Sequence, residues 1–219
     1  DDVQALLKEF QAFESNPNCP SARDVCVVAC RELELAFAQL TALQRARLLP
    51  HILNAVTRAI VRAVHSLDSN LTRERLLQVL HIWVDGGSDD VLDHVNLTQL
   101  TKVLAQLKTM FAVEKGSKIR VGALRCLEAL GCRALETPKR HNRARDSLCS
   151  VWSRVCLELE RTLFRSVDER LTGEAARLVG AWLAKGLEIP EEERVDRLVR
   201  ALLDYIRLNE NRATGTKLE

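Results

Sequence analysis

Cysteine and histidine are the residues of this chain whose types and number could support a metal site. The chain has five histidines and seven cysteines, the latter being Cys19, Cys26, Cys30, Cys126, Cys132, Cys149 and Cys156. Structural zinc sites use closely spaced cysteine pairs, but no C-x-x-C pair occurs and no histidine lies near a cysteine pair. Most cysteines stand at helical spacing among Val, Ala and Leu, where a free thiol packs as a small apolar group. The sequence therefore predicts neither a metal nor another cofactor.

Nucleophilic catalysis would need a serine or cysteine, a histidine and an orienting acid to converge. The histidines are His51, His65, His81, His94 and His141. None of them stands in a recognisable catalytic motif such as G-x-S-x-G. The only paired glycines have no following lysine and do not form a phosphate-binding loop. We therefore expect a protein that is not an enzyme and that has no small-molecule substrate.

Basic residues cluster twice in the sequence and are the candidates for binding a partner. The candidates are Lys115, Lys118 and Arg120 in the first group, and Lys139, Arg140, Arg143 and Arg145 in the second. The second group precedes a predicted helix, whose N-terminal dipole disfavours positive charge by roughly a few tenths of a kcal/mol per residue. Two interpretations stay open for it: a solvated loop, or a contact for an acidic protein, a phosphate backbone or a nuclear import receptor. We expect both groups to contribute to a surface for an acidic partner.

The charge balance and composition limit the remaining function classes. The 32 basic and 30 acidic residues give a net charge of +2, whereas a nucleic-acid-binding domain is more often strongly basic. No apolar run approaches the ~20 residues of a membrane span, and no signal peptide is recognisable. Cysteines used in this way are typical of a reducing compartment. We expect a protein of the cytoplasm, the nucleus or both, without membrane contact.

Apolar residues at helical spacing predict nine helices and no β-strand, which is an all-α class. Thr41 with Gln44, and Asn96 with Gln99, are predicted capping boxes at the starts of the third and fifth helices. Pro50 lies inside the third helix and should either kink it or mark a later start.

The remaining boundaries follow from caps and composition. Ser21 is the predicted N-cap of a second helix over about residues 22–39, which is apolar on most faces and is expected to be buried on several sides. A sixth helix over about residues 118–134 should lead into a polar, basic connection at residues 135–143. Gly186 is predicted to end the eighth helix.

One helix pattern recurs about every 50 residues. Leu53, Leu104, Val155 and Leu202 occupy equivalent places in four amphipathic runs and are separated by 51, 51 and 47 residues. A fixed period of this size is typical of stacked helical hairpins. Such stacks usually bind other macromolecules.

The repeat predicts one domain over residues 1–210. Residues 211–219 are expected to be a disordered tail left by cloning. A ninth helix should begin at Pro190, because proline suits the first helical position. Three tryptophans on apolar stripes are expected in the core: Trp83, Trp152 and Trp182.

Two segments resemble the HEAT-repeat family. LLPHIL at residues 48–53 resembles the first helix of a HEAT unit, with its internal proline, and SKIRVGALRCLEALG at residues 117–131 resembles the second helix. The resemblance implies an α-solenoid of about nine helices in stacked antiparallel hairpins, forming a HEAT-like superhelix. It also implies a non-catalytic scaffold that binds a partner protein through an edge or a concave face.

The unit is longer than the roughly 40–47 residues of typical HEAT or armadillo units, which resembles the irregular tubulin-binding arrays called TOG domains. In those domains the turns within the hairpins align along one edge and contact the partner. The corresponding turns here are residues 15–20, 66–70, 114–118 and 165–169. Tubulin is therefore an alternative partner, and nucleic acid is a second alternative.

Overall fold

The chain is all-helical wherever the structure describes it. The computed structural model describes residues 2–66, 69–87, 92–136, 138–165 and 168–188, with 196, 199–204, 206, 207 and 210. Its helices are α1 (Asp2–Ser15), α2 (Pro20–Gln39), α3 (Ala42–Val64), α4 (Asn70–Asp85), α5 (Leu97–Val113), α6 (Ser117–Glu136), α7 (Pro138–Arg165) and α8 (Glu169–Ala184). Residues 199–204 are also helical, whereas the predicted start at Pro190 and the tail 211–219 lie outside the described residues. The prediction of an all-α class is confirmed, with no β-strand in these ranges.

The helices pack in two layers. Helices α1, α3, α5 and α7 pack in succession to form one layer, and α2, α4, α6 and α8 form the other. Each odd-numbered helix also packs against the even-numbered helix that follows it. Of the four residues that define the sequence period, Leu53, Leu104 and Val155 are fully buried in the odd-numbered layer, whereas Leu202 is only partly buried against the core. The period therefore marks equivalent core positions in successive helix pairs.

Both predicted capping boxes are confirmed. The side chain of Thr41 accepts a hydrogen bond from Gln44 N–H, and Asn96 does the same for Gln99 N–H. Helix α3 runs without interruption through Pro50, so the later start is excluded. The carbonyl of Pro50 accepts a hydrogen bond from Gln99 Nε2 at 3.4 Å, which ties α3 to the start of α5.

The second helix differs from its prediction in its start and in its burial. Pro20 occupies the first turn and Cys19 is the N-cap, so Ser21 lies inside α2 and does not cap it. Val25, Val28 and Leu35 are exposed, although the sequence predicted burial on several sides. The reason is that α2 lies at one end of its layer, where it packs against α1 and α4. Its remaining apolar side faces solvent.

The predicted basic connection at residues 135–143 is wrong. Helix α6 continues to Glu136 and α7 already begins at Pro138, so the basic run forms the first turns of a helix. Proline is well suited to the first helical position, and Ala144 and Leu148 bury one side of these turns. The polarity of residues 138–143 wrongly indicated a loop, because the packing of the apolar side of α7 against the core stabilises the helix.

The end of α8 matches its sequence signal. Gly186 has φ of +83°, which an L-residue with a side chain rarely adopts. Its N–H donates to Leu183 O at 2.9 Å, and Leu187 N–H donates to Trp182 O at 3.0 Å. These two bonds form a Schellman motif, and Leu187 is buried. The predicted end of the helix is confirmed.

The tryptophans and most cysteines lie in the core. Trp83, Trp152 and Trp182 are each 2% exposed or less, as predicted. Trp83 Nε1 donates to Leu33 O at 3.3 Å, and Trp182 Nε1 donates to Glu128 O at 3.2 Å, so each indole bonds to the preceding helix of the even-numbered layer. All seven cysteines are free, with four buried and three partly exposed.

Replacing Gly131 with alanine tests the packing between α6 and α8. A Cβ at this position would overlap the indole ring of Trp182. We expect Gly131→Ala to reduce the free energy of unfolding by about 3 kcal/mol, because the buried indole would have to move. Urea unfolding followed by circular dichroism measures the change.

Gly180 provides the matched control. A Cβ at Gly180 in α8 meets nothing within 4 Å, so Gly180→Ala should stabilise the helix by roughly 0.5–1 kcal/mol. Equal effects of the two substitutions would contradict the close approach of α6 to α8.

Candidate partner-binding surface

The turns that join the two helices of each pair stack along one edge of the protein. We call this the turn edge; its described residues are 16–19, 65, 66, 69, 114–118 and 168, where the third turn is taken together with the first two residues of α6. Ser66 Oγ donates to Pro17 O at 2.8 Å and so links the first turn to the second. Arg73 forms an ion pair with Glu114 at 2.9 Å and links the second turn to the third. The alignment of successive turns is therefore held by direct polar contacts.

Arg73 makes the most complete set of these contacts. Its Nε donates to Ala63 O at 2.8 Å and its Nη2 donates to Ser66 O at 2.9 Å, which satisfies carbonyls at the end of α3. Its Nη1 donates to Glu114 at 3.0 Å. The side chains of Arg73 and Glu114 are only 12% and 8% exposed, so water screens their attraction weakly. Arg73 thus joins its own helix pair to the next.

Arg120 repeats this arrangement one pair later. Its Nε donates to Phe111 O at 3.1 Å, at the end of α5, and its Nη2 lies 3.0 Å from the carboxylate of Glu158 in α7. Its guanidinium also stacks over the Phe111 ring at 4.8 Å. Arg73 and Arg120 are each the fourth residue of an even-numbered helix, as is Arg23 in α2. The guanidinium of Arg120 is therefore occupied by contacts within the protein.

The third and fourth turns meet at Asp168, the N-cap of α8. The hydroxyl of Ser117 donates to its carboxylate, and the N–H of Leu171 donates to it at 3.0 Å. These two donors hold the pKa of Asp168 below its ordinary value. The charged cap joins the start of α6 to the start of α8.

Lys115 and Lys118 are the exposed cations of the first basic group. Neither has a partner among the described residues. Lys115 lines a groove between α3 and α5. Lys118 lines a cavity of about 470 Å³ between α4 and α6, to which Arg170 also contributes. The two lysines therefore reach opposite sides of the same turn.

The second basic group lies at the far end of α6 from the first. The two groups are separated by the 20 residues of this helix, which is roughly 30 Å at 1.5 Å per residue. Arg143 is exposed, and Arg145 Nη2 lies 3.8 Å from Glu188 Oε2. Lys139 and Arg140 lie in the first turn of α7, and their side chains are outside the described ones. The structure does not bring the seven predicted residues together in one patch.

A cluster of charged residues connects α6 and α8 within the even-numbered layer. Glu174 accepts hydrogen bonds from Arg125 Nε and from Arg177 Nη2, both at 2.9 Å. Arg177 Nη2 also lies 3.0 Å from Glu128 Oε2, but that oxygen receives no aligned N–H. These side chains line a cavity of about 310 Å³, to which His81 of α4 also contributes. The ion pairs therefore join α6 to α8 beside this cavity.

Burial acts differently on the acids and the histidine of this cluster. Desolvation raises the pKa of Glu128 and lowers the pKa of His81. For Glu174 desolvation is the largest single effect and acts upward, but hydrogen bonds from Arg125 and Arg177 outweigh it and lower the pKa. The ionised Glu174 therefore stabilises the fold. No group of three or more potential metal ligands occurs among the described residues.

Searches against protein-family models, curated proteins and solved structures find no significant match to this chain. None of the described helices is both long and apolar enough to cross a lipid bilayer.

Arg73 is the residue connecting two helix pairs that the sequence analysis did not identify. The available signal was the recurrence of arginine at the fourth position of α2, α4 and α6.

Replacing Glu174 with glutamine tests the charged cluster through the pH dependence of stability. The pKa of Glu174 is lowered in the folded state. Its stabilisation is therefore complete above the unfolded pKa of about 4.3 and is lost as pH falls through the folded pKa. We expect Glu174→Gln to cost about 1–2 kcal/mol at pH 7. Urea titrations should show that this difference shrinks below about pH 4.

Glu32→Gln is the control for this measurement. Glu32 is exposed on α2, without a partner among the described residues. The Glu32→Gln substitution should leave the free energy of unfolding unchanged both at pH 7 and below about pH 4. A pH-independent loss in Glu174→Gln would contradict the role of the ionised carboxylate.

Proposed function

We propose that this protein is a non-catalytic scaffold of HEAT-repeat type that binds an acidic partner protein through its turn edge. The observation that carries the proposal is the pair of exposed, unpartnered lysines, Lys115 and Lys118, on a turn held in place by Arg73 and Asp168. Cations fixed on a rigid edge attract a carboxylate-rich surface without a large ordering cost.

The packing supports a solenoid of irregular HEAT-like units. Each helix pair packs on its neighbours through both layers. The equivalent residues Arg73 and Arg120 clamp successive pairs in the same way. A stack of this kind exposes long edges and faces, which favours binding of macromolecules over chemistry at one central site.

The charge of the turn edge favours a protein over a nucleic acid. The acidic residues Glu114 and Asp168 lie on the same edge as the lysines, and the net charge of the chain is only +2. Nucleic-acid binding requires several phosphate contacts, which give a steep dependence of affinity on salt. An edge of mixed charge therefore favours a protein partner over a nucleic acid.

Charge reversal at the two lysines tests the proposal. We expect Lys115→Glu with Lys118→Glu to weaken the partner interaction by about ten-fold or more, because attraction becomes repulsion. Quantitative affinity capture with mass spectrometry identifies proteins lost from the variant, and titration with the purified partner gives the affinity.

The control carries the same change of net charge elsewhere. Lys8 and Arg47 are exposed on α1 and α3, so Lys8→Glu with Arg47→Glu should leave the interaction within about two-fold of the unmodified protein. If the Lys115→Glu, Lys118→Glu variant captures every partner as well as the Lys8→Glu, Arg47→Glu control does, the turn edge is not the binding surface.

Tubulin is the second candidate, and the alignment of the turns is the observation that favours it. Gel filtration of the protein with tubulin tests this alternative. If tubulin is the partner, the two should coelute, and Lys115→Glu with Lys118→Glu should separate them. Independent elution of the unmodified protein would exclude tubulin and leave the scaffold proposal standing.

A further inference from the structure

A continuous groove runs along the seam between α3 and α5. It consists of two adjoining cavities of about 550 and 590 Å³. Both cavities are lined by Val61 of α3 and Gln106 of α5, so they meet at these residues. We call this feature the α3–α5 groove. The sequence analysis did not predict this groove, either from the basic groups or from the repeat pattern.

The dimensions of the groove match a short extended peptide. On α3 its lining extends from Leu53 to His65, which spans roughly 18 Å at 1.5 Å per helical residue. An extended chain advances about 3.3 Å per residue. The groove therefore accommodates about six residues of extended chain.

The charge of the groove selects for acidic residues. Lys102 lines one cavity and Lys115 the other, and neither has a partner among the described residues. Among the described residues that line the groove, Glu114 is the one carboxylate, and Arg73 neutralises it. Arg58 also lines the groove, paired with Glu14 at 2.9 Å. The two lysines leave uncompensated positive charge in each of the two adjoining cavities.

The groove carries amide side chains that suit an extended main chain. Gln106 is half-buried where the cavities meet, and Asn54 is exposed at one end; neither amide has a partner among the described residues. A primary amide can both donate and accept, which matches one peptide group of an extended chain. A helix satisfies its own backbone and would need a continuous apolar stripe instead. Val61 and Val64 can receive a single apolar side chain.

We propose that the α3–α5 groove binds an extended acidic peptide of about six residues, with one carboxylate that reaches Lys102 and another that reaches Lys115. The central residue is apolar and packs on Val61, while Gln106 pairs with the peptide backbone. This inference rests on the proposed scaffold function, since it names the part of a partner that is recognised. It also depends on residues outside the turn edge.

Selection from a library of random octapeptides displayed on phage tests the groove directly. The full chain is immobilised and the enriched sequences are read. We expect carboxylates spaced about five to seven residues apart around an apolar residue. A fluorescent peptide of the enriched sequence then gives the affinity by anisotropy. The Lys102→Glu, Lys115→Glu double variant should weaken it by about ten-fold or more at low salt, and Lys8→Glu with Arg47→Glu by less than about two-fold.

A second variant fills the groove without changing its charge. Val61→Trp places a large ring where the two cavities meet, and circular dichroism confirms that the variant is folded. It should abolish peptide binding. A folded Val61→Trp variant that binds normally would overturn the proposal, as would enriched peptides without an acidic bias.

The remaining outcomes separate this inference from its alternatives. If a single-stranded oligonucleotide displaces the peptide with the same dependence on Lys102, the groove takes nucleic acid and the peptide proposal is wrong. If a captured partner needs Lys118 but ignores Lys102 and Val61→Trp, the scaffold function stands and the groove proposal fails. If the peptide binds as proposed but no protein depends on the turn edge, the proposed edge fails and the groove stands.

Discussion

The buried ion pair between Arg73 and Glu114 is the contact on which the alignment of the helix pairs depends. Because both side chains are withdrawn from water, their separation would leave an uncompensated charge, a loss of roughly 3–5 kcal/mol for pairs of this kind. The same guanidinium also satisfies carbonyls at the end of α3. One side chain thus ends a helix, orders a turn and sets the position of the next pair. Lys115 follows Glu114 directly, so the geometry of the candidate surface derives from this contact.

Features that depend on neighbouring residues were readable from the sequence. The capping box of Thr41 with Gln44 closes within four residues, and the end of α8 at Gly186 needs only the local left-handed backbone. Features that depend on distant packing were not. Residues 138–143 are polar, yet they are helical because Ala144 and Leu148 bury the same helix against the core. The polar residues indicate only the solvent-exposed side of this helix and do not show which side is buried.

The candidate surface was only partly predictable for the same reason. Lys115, Lys118 and Arg120 are all basic and close in sequence. Arg120, however, forms an ion pair with Glu158, 38 residues away, so its charge is neutralised within the protein. The groove between α3 and α5 leaves no continuous motif, since Val61 and Gln106 come together only when the two helices pack. Charge could be counted from the sequence, whereas its pairing required the contacts between helices.

The packing of each helix pair on its neighbours also determines how the chain loses its structure. Contacts such as that between Cys126 and Leu77, 49 residues apart, bridge neighbouring pairs. Among the described helices, a pair at one end packs on one neighbouring pair and an inner pair packs on two, so the end pair is held by fewer contacts. Helix α2 lies at such an end. Amide protons of α1 and α2 should therefore exchange with solvent through openings that leave α4 and α6 intact. A partner that covers the exposed apolar side of α2 would add contacts at this end and make such openings rarer.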